Sequence, residues 1–215
     1  MGNTISELFK EKNYKILIGK LLLDLDNNDY SLRLTINNKI ELNISNYLKK
    51  INDLLKNNSI EYNVQDLNEL LNKNKEQIRD MTFMKLDERK TNLIAIINND
   101  LDFQLSCIIE NIDKETERIK SELELFINNL IYVDILEELS INYKFKTEQQ
   151  KEKLNEILNK FDNSISSSIY NSIKERSANL KNVMLETINK VKELNALTSS
   201  FDDEKNSKTK KKDAS

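Results

Sequence analysis

Apolar residues recur every eleven positions through the middle of this chain, at Leu86, Ile97, Ile108, Ile119 and Leu130. They do so again at Leu158, Ile169, Leu180 and Val191. Eleven residues fill three helical turns at about 3.67 residues per turn, close to the natural 3.6. The spacing predicts two long, nearly straight helices over 86–139 and 148–198, each carrying one apolar stripe. Ser140–Lys146 reads as their connection. Thr147-Glu148-Gln149-Gln150 fits a capping box, in which the Thr and Gln side chains satisfy free backbone N–H groups at a helix start. Similar lengths and a short connection predict an antiparallel helical hairpin.

Upstream the period changes to two. Tyr30, Leu32, Leu34 and Ile36 alternate with polar residues, as do Ile40, Leu42 and Ile44. Asn37-Asn38-Lys39 lies between the two runs. This predicts a β-hairpin with Ile36 opposite Ile40, which keeps every apolar residue on one face. The runs at 16–18 and 21–23 suit a buried strand or a buried helix, and Gly19 tips the balance toward a strand. Helices follow from Ser45 to about Asn57 and from about Gln65 to Arg79. A break is expected near Asp80–Lys85, because Lys75 occupies the stripe position before Leu86. The predicted fold is mainly α: a small α+β cap over 1–80, a long coiled-coil-like helical hairpin over 81–198, and a disordered tail over 199–215.

Composition supports the long helices. Proline is absent, and the only glycines are Gly2 and Gly19, so the usual helix breakers are missing. The net charge of −3 is unevenly spread. Residues 86–139 carry 13 acidic and 5 basic side chains, a net of −8, while the flanking segments are mildly basic. No concentrated basic surface of the kind nucleic acids require is present. Ser164, Ser168, Ser172 and Arg176 interrupt the final stripe and predict a thinly packed zone.

Histidine is also absent, which removes histidine-activated nucleophiles and the common zinc and di-iron ligand sets. Cys107 stands alone beside Leu105, Ile108 and Ile109 and reads as a small core residue. Asp24, Asp26 and Asn28 start like a calcium loop. Asp29 then replaces the required Gly and Thr35 the bidentate Glu, so a polar turn is expected there. Gly19-Lys20 lacks the other residues of a phosphate loop. No catalytic residue, metal ligand or cofactor site is therefore expected.

Met1-Gly2-Asn3-Thr4-Ile5-Ser6 fits the acceptor pattern for N-myristoylation, making Gly2 the candidate lipidation site. Membrane association would need that modification, and one acyl chain binds only marginally. No run of 18 apolar residues and no signal-peptide pattern occurs, so a cytoplasmic location is expected. The sequence reading is a non-enzymatic, coiled-coil-type scaffolding or protein–protein interaction protein. Its partners would be other protein helices and other copies of itself, with Ile94, Ile96, Ile109, Leu125 and Ile127 beside the stripe available for a homo-oligomer. The alternative is an N-myristoylated peripheral membrane protein with a helical stalk.

Overall fold

The computed structural model describes the backbone of residues 5–99 and 105–212, and the side chains of 12–99 and 107–197. The chain is an up-down-up-down four-helix bundle. Helix α1 spans Ile5–Asn57, α2 Val64–Asn99, α3 Leu105–Asn129, and α5 Glu148–Lys212. Between α3 and α5 lie a π-helical turn, Leu130–Ile135, and a short helix, α4, Leu136–Asn142. Helix α1 packs against α2 and α5, and α3 packs against the same two. Helices α1 and α3 therefore occupy diagonal corners. At 1.5 Å per residue, α1 alone is about 80 Å long.

The eleven-residue stripe is real, but it is not confined to residues after Leu86. Buried positions in α2 run Leu67, Leu71, Asn74, Ile78, Thr82, Leu86, Arg89, Leu93 and Ile97. These are steps of four, three and four residues, the spacing that holds a stripe straight on a 3.67-residue period. Helix α1 follows the same rule through Leu21, Leu25, Leu32, Ile36, Ile40, Tyr47 and Ile51, all buried.

The expected β-hairpin is not found. Residues 30–44 lie in the middle of α1, and no strand occurs among the described residues. The apparent alternation mixes two helical faces. Leu32, Ile36, Ile40 and Ile44 are buried at four-residue intervals, whereas Tyr30, Leu34 and Leu42 are more than half exposed. The anticipated α+β cap is instead one half of the bundle. Gly19, Asp24, Asp26 and Asn28 are all helical, so the polar turn expected at 24–29 is absent too. Ser45 lies inside α1 rather than at a helix start.

Two boundaries also move. Helix α2 runs unbroken through 80–85, where Thr82 is fully buried. The chain instead reverses between Asn99 and Leu105. Cross-helix contacts show the fold-back: Lys85 pairs with Glu122 at 2.8 Å, Glu88 with Arg118 at 3.1 Å, and Asn92 bonds Glu115 at 3.1 Å. The single helix expected over 86–139 is thus the end of α2 and, antiparallel to it, the whole of α3 with the π turn and the start of α4. Helix α5 remains helical to Lys212, including 199–212, where a disordered tail was expected. Among the described residues no helix is long and apolar enough to cross a membrane.

Both remaining turns have clear local causes. At the end of α1, Ser59 adopts a left-handed conformation, φ 53°. Ile60 N–H donates to Leu55 O at 3.0 Å and Ser59 N–H to Lys56 O at 3.1 Å. This is a Schellman termination, with Ile60 and Leu55 meeting in the core. Asn63 caps α2, accepting from Gln65 N–H at 2.9 Å. Before α5 the expected capping box is present: Gln150 N–H donates to Thr147 Oγ1 at 3.2 Å, and Thr147 N–H to Gln150 Oε1 at 3.3 Å.

The π turn has a packing cause. Leu123, Ile127, Ile131, Ile135, Leu139 and Tyr143 are buried at an unbroken spacing of four. Four residues of α-helix advance by about 400°, so such a row drifts by about 40° per step. Wider i→i+5 turns at 130–135 absorb that drift and keep the row facing α5 and α2.

Two small substitutions test this backbone account. Gly19 is helical and exposed, and an added Cβ would meet nothing within 4 Å. Gly19→Ala should stabilise the fold by about 0.5–1 kcal/mol. Ser59→Gly should relieve the left-handed strain and stabilise by a similar amount, up to about 1 kcal/mol. Urea unfolding measures both. Destabilisation by Gly19→Ala would contradict a helix at this position.

Candidate functional site

The most distinctive chemistry of the molecule is a polar layer inside the bundle. Each of the four long helices contributes one side chain: Asp29 from α1, Arg89 from α2, Thr116 from α3 and Ser177 from α5. All four are buried, Arg89 to 1% exposure. Each stands eleven residues from a buried isoleucine of its own helix, namely Ile40, Ile78, Ile127 and Ile188. The helical period therefore carries all four inward, although none is apolar. The layer divides the core in two. One apolar cluster includes Leu32–Ile60 and Ile119–Ile173, and the other includes Leu17–Leu25, Leu93–Ile112 and Leu180–Ile188.

Proton counting fixes the direction of the hydrogen bonds. Thr116 Oγ1 donates to Ile112 O at 2.8 Å. Its single proton is thereby used, so in the 2.8 Å contact between Thr116 Oγ1 and Ser177 Oγ the serine must donate. Ser177 in turn accepts from Arg89 Nη2 at 2.9 Å. The chain runs Arg89 to Ser177 to Thr116 to the α3 backbone, and it ties α2, α5 and α3 together.

The guanidinium is incompletely satisfied. Arg89 Nε has no hydrogen-bond partner, and burial pulls its pKa down while the charges of Asp29 and Glu115 push it back up. Asp29 is itself held by Arg33, at 2.8 Å to Nε, and Arg33 reaches Asp87 at 2.7 Å. On the other side Glu115 binds Arg118 at 2.8 Å, and Arg118 also binds Glu88 and Glu122. The buried cation thus lies between two carboxylate-bearing networks that reach solvent. An arginine stays protonated in proteins, so Arg89 brings no titrating group to this layer. It offers a fixed charge and a directional contact.

A second set of polar contacts aligns α1 with α5. Asn13 bonds Asn195 at 2.9 Å, Thr187 donates to Asp24 at 3.2 Å, and Asn28 donates to Arg176 O at 2.8 Å. Asn43 accepts from Ser164 Oγ at 2.7 Å and donates toward Ser168 Oγ at 3.4 Å. The serine-rich lapse in the stripe is therefore not a loose zone. Its small side chains face α1 and form hydrogen-bonded rungs.

The other residues singled out by sequence are accounted for separately. Gly2 lies outside the described residues. Cys107 is half-buried rather than a core residue, with Asn111 Nδ2 3.4 Å from its sulfur. Asp26 pairs with Lys90 of α2 at 2.7 Å. Among the described residues no group of three or more Cys, Asp and Glu side chains could hold a metal ion. Open hollows near Tyr62, Asp66 and Tyr143 lie at the turn end of the bundle, away from the polar layer. No protein-family model, curated protein or solved structure matches the chain.

The sequence reading missed the polar layer because it followed only apolar residues. The signal was present: Arg89, Thr116 and Ser177 each stand eleven residues from an isoleucine of the same helix.

The layer gives a double-mutant test. Ser177→Ala removes the acceptor for Arg89 and the donor for Thr116, and should cost about 1–3 kcal/mol. Arg89→Met should be neutral or stabilising, by up to about 4 kcal/mol, because a desolvated cation is replaced by a packed side chain. In the Arg89→Met background Ser177→Ala should cost much less. Equal cost in both backgrounds, read by urea unfolding, would show that the chain of bonds is not energetically coupled.

The flanking network makes a pH prediction. The carboxyls of Glu88 and Glu122 lie below the usual carboxylate range, chiefly through their hydrogen bonds to Lys85. Groups with depressed folded pKa values stabilise above the unfolded pKa and lose that contribution as pH falls through the folded one. Stability should therefore drop below about pH 4. Glu88→Gln/Glu122→Gln should flatten that drop in acid-titrated urea unfolding.

Proposed function

We propose that this chain is a non-enzymatic interaction protein, a stiff helical bundle that offers its outer faces to other protein helices. The supporting observation is that α1 is apolar on two sides. Its core face is buried against α2 and α5. On the opposite face Ile16, Leu23, Tyr30 and Leu34 are 53–67% exposed. At about 100° per residue these four share one stripe, about 27 Å long. Scattered apolar residues on a surface need no explanation, but an aligned set does. An extended apolar stripe on a helix is the surface that a partner helix recognises in groove or coiled-coil packing.

The interior fits a scaffolding role better than a catalytic one. Its one concentrated set of polar groups is closed within the bundle and fixes helix register. The chain has no histidine, the side chain whose unperturbed pKa suits proton transfer near neutrality. A two-helix hairpin would have needed a second copy to complete its core, whereas here one chain supplies all four helices. Ile127, counted as surplus in the sequence, is fully buried. Any oligomer must therefore use outer surfaces.

A photo-crosslinking amino acid tests this reading. Placed at Tyr30, it should give discrete protein adducts in extracts of the native host. Placed at Asn163, an exposed position on α5, it should give only background. Equal background at both sites would overturn the proposal.

A further inference from the structure

We infer that the partner of the α1 outer stripe is a second copy of this chain, docking through its α3–α4 outer face. This rests on the interaction-protein reading above and specifies its partner. The first argument is charge. Beside the α1 stripe Lys12 and Lys20 are exposed and make no ion pair among the described residues, while the acidic neighbour Asp26 is neutralised by Lys90 at 2.7 Å. On the diagonal corner the outer face of α3–α4 is acidic, with Glu124, Asp134 and Glu137 exposed and likewise without an ion pair. Opposite potentials on two different faces of one molecule attract copies of it and repel like-to-like pairing.

The second argument is apolar surface. The acidic face also carries exposed Leu125, Val133 and Ile141, at 66%, 55% and 71%. They extend over about 24 Å of helix, close to the length of about 27 Å on α1. Two apolar stretches of matched length, one rimmed by lysines and one by carboxylates, form a complementary pair that no contact within the bundle can join, because α1 and α3 are diagonal.

The geometry follows. The two faces differ, so the contact is head-to-tail rather than two-fold. The α1 stretch lies toward the end where α2 reverses into α3. The α3–α4 stretch lies toward the end holding the 58–63 and 143–147 turns. Aligning them displaces each copy along the bundle axis, and repetition gives a staggered open chain.

Complementary blocking tests this directly. Leu23→Glu/Tyr30→Glu blocks one face, and Leu125→Lys/Ile141→Lys blocks the other. All four positions are exposed, and circular dichroism confirms that each variant folds. By light scattering the unaltered protein should grow with concentration, and more so at low salt, because exposed charges are screened within about 3 Å at 1 M salt. Each blocked variant should be monomeric. Their equimolar mixture should form a dimer and nothing larger, since only one complementary pair of faces remains.

A monomeric unaltered protein at all concentrations would overturn the inference, as would a mixture that stays monomeric. Persistence of oligomers in the α3–α4 variant would overturn it in favour of α1 pairing with itself. If the protein is monomeric yet Tyr30 crosslinks to other proteins, only this inference fails. If Tyr30 crosslinks to nothing, the broader reading fails with it.

Discussion

The register of the four helices is set by a guanidinium that has only one place to go. Stripes of leucine and isoleucine at a four-three-four spacing bury well, but they repeat. A helix moved along its neighbours by eleven residues presents nearly the same apolar face. Burial alone, worth about 1.5–3 kcal/mol per large side chain, therefore favours many registers almost equally. Arg89 breaks that degeneracy. In the observed register its Nη2 meets Ser177, and Ser177 meets Thr116. After a slip the same cation would face isoleucines, with the cost of a buried, unpaired charge. The layer is an expensive feature whose return is a single alignment.

The α1–α5 rungs extend that logic along the bundle. Asn43 with Ser164 and Ser168, Asn28 with the Arg176 carbonyl, and Asp24 with Thr187 each join residues whose positions fit one antiparallel offset. They are spaced through most of the shared length, so a local slip would break several at once. Surface networks centred on Lys85 and Arg118 then hold α2 to α3. Hydrophobic burial supplies the driving force, and polar contacts choose among its solutions.

This division explains which parts of the fold were legible in the sequence. The period of the stripe was legible, since it is a local property of one helix face. So was the Thr147–Gln150 capping box, whose bonds are made within four residues. The reversal after Asn99 was not. The stripe positions Ile97 and Ile108 lie eleven residues apart on either side of it, so the phase continues across the turn and hides it. The false hairpin arose differently. Leu32, Ile36 and Ile40 face the core, while Tyr30, Leu34 and Leu42 face outward. Two apolar faces on one helix imitate the alternation of a strand, and a rule that assumes one buried face cannot separate them.

That same pattern bears on the interaction proposed for α1. A helix needs one apolar face to join a bundle, and α1 has two. The second face gives no intramolecular stability, since its residues remain exposed. A register locked by Arg89 and the α1–α5 rungs holds that face straight and fixed relative to the acidic corner of α3 and α4. Rigidity matters for such a contact, because side chains and backbone already ordered by the bundle pay little further entropy on association. The buried layer and the exposed stripe are thus linked: the first keeps four interchangeable helices in a single alignment, and that alignment fixes where the stripe lies relative to the acidic corner.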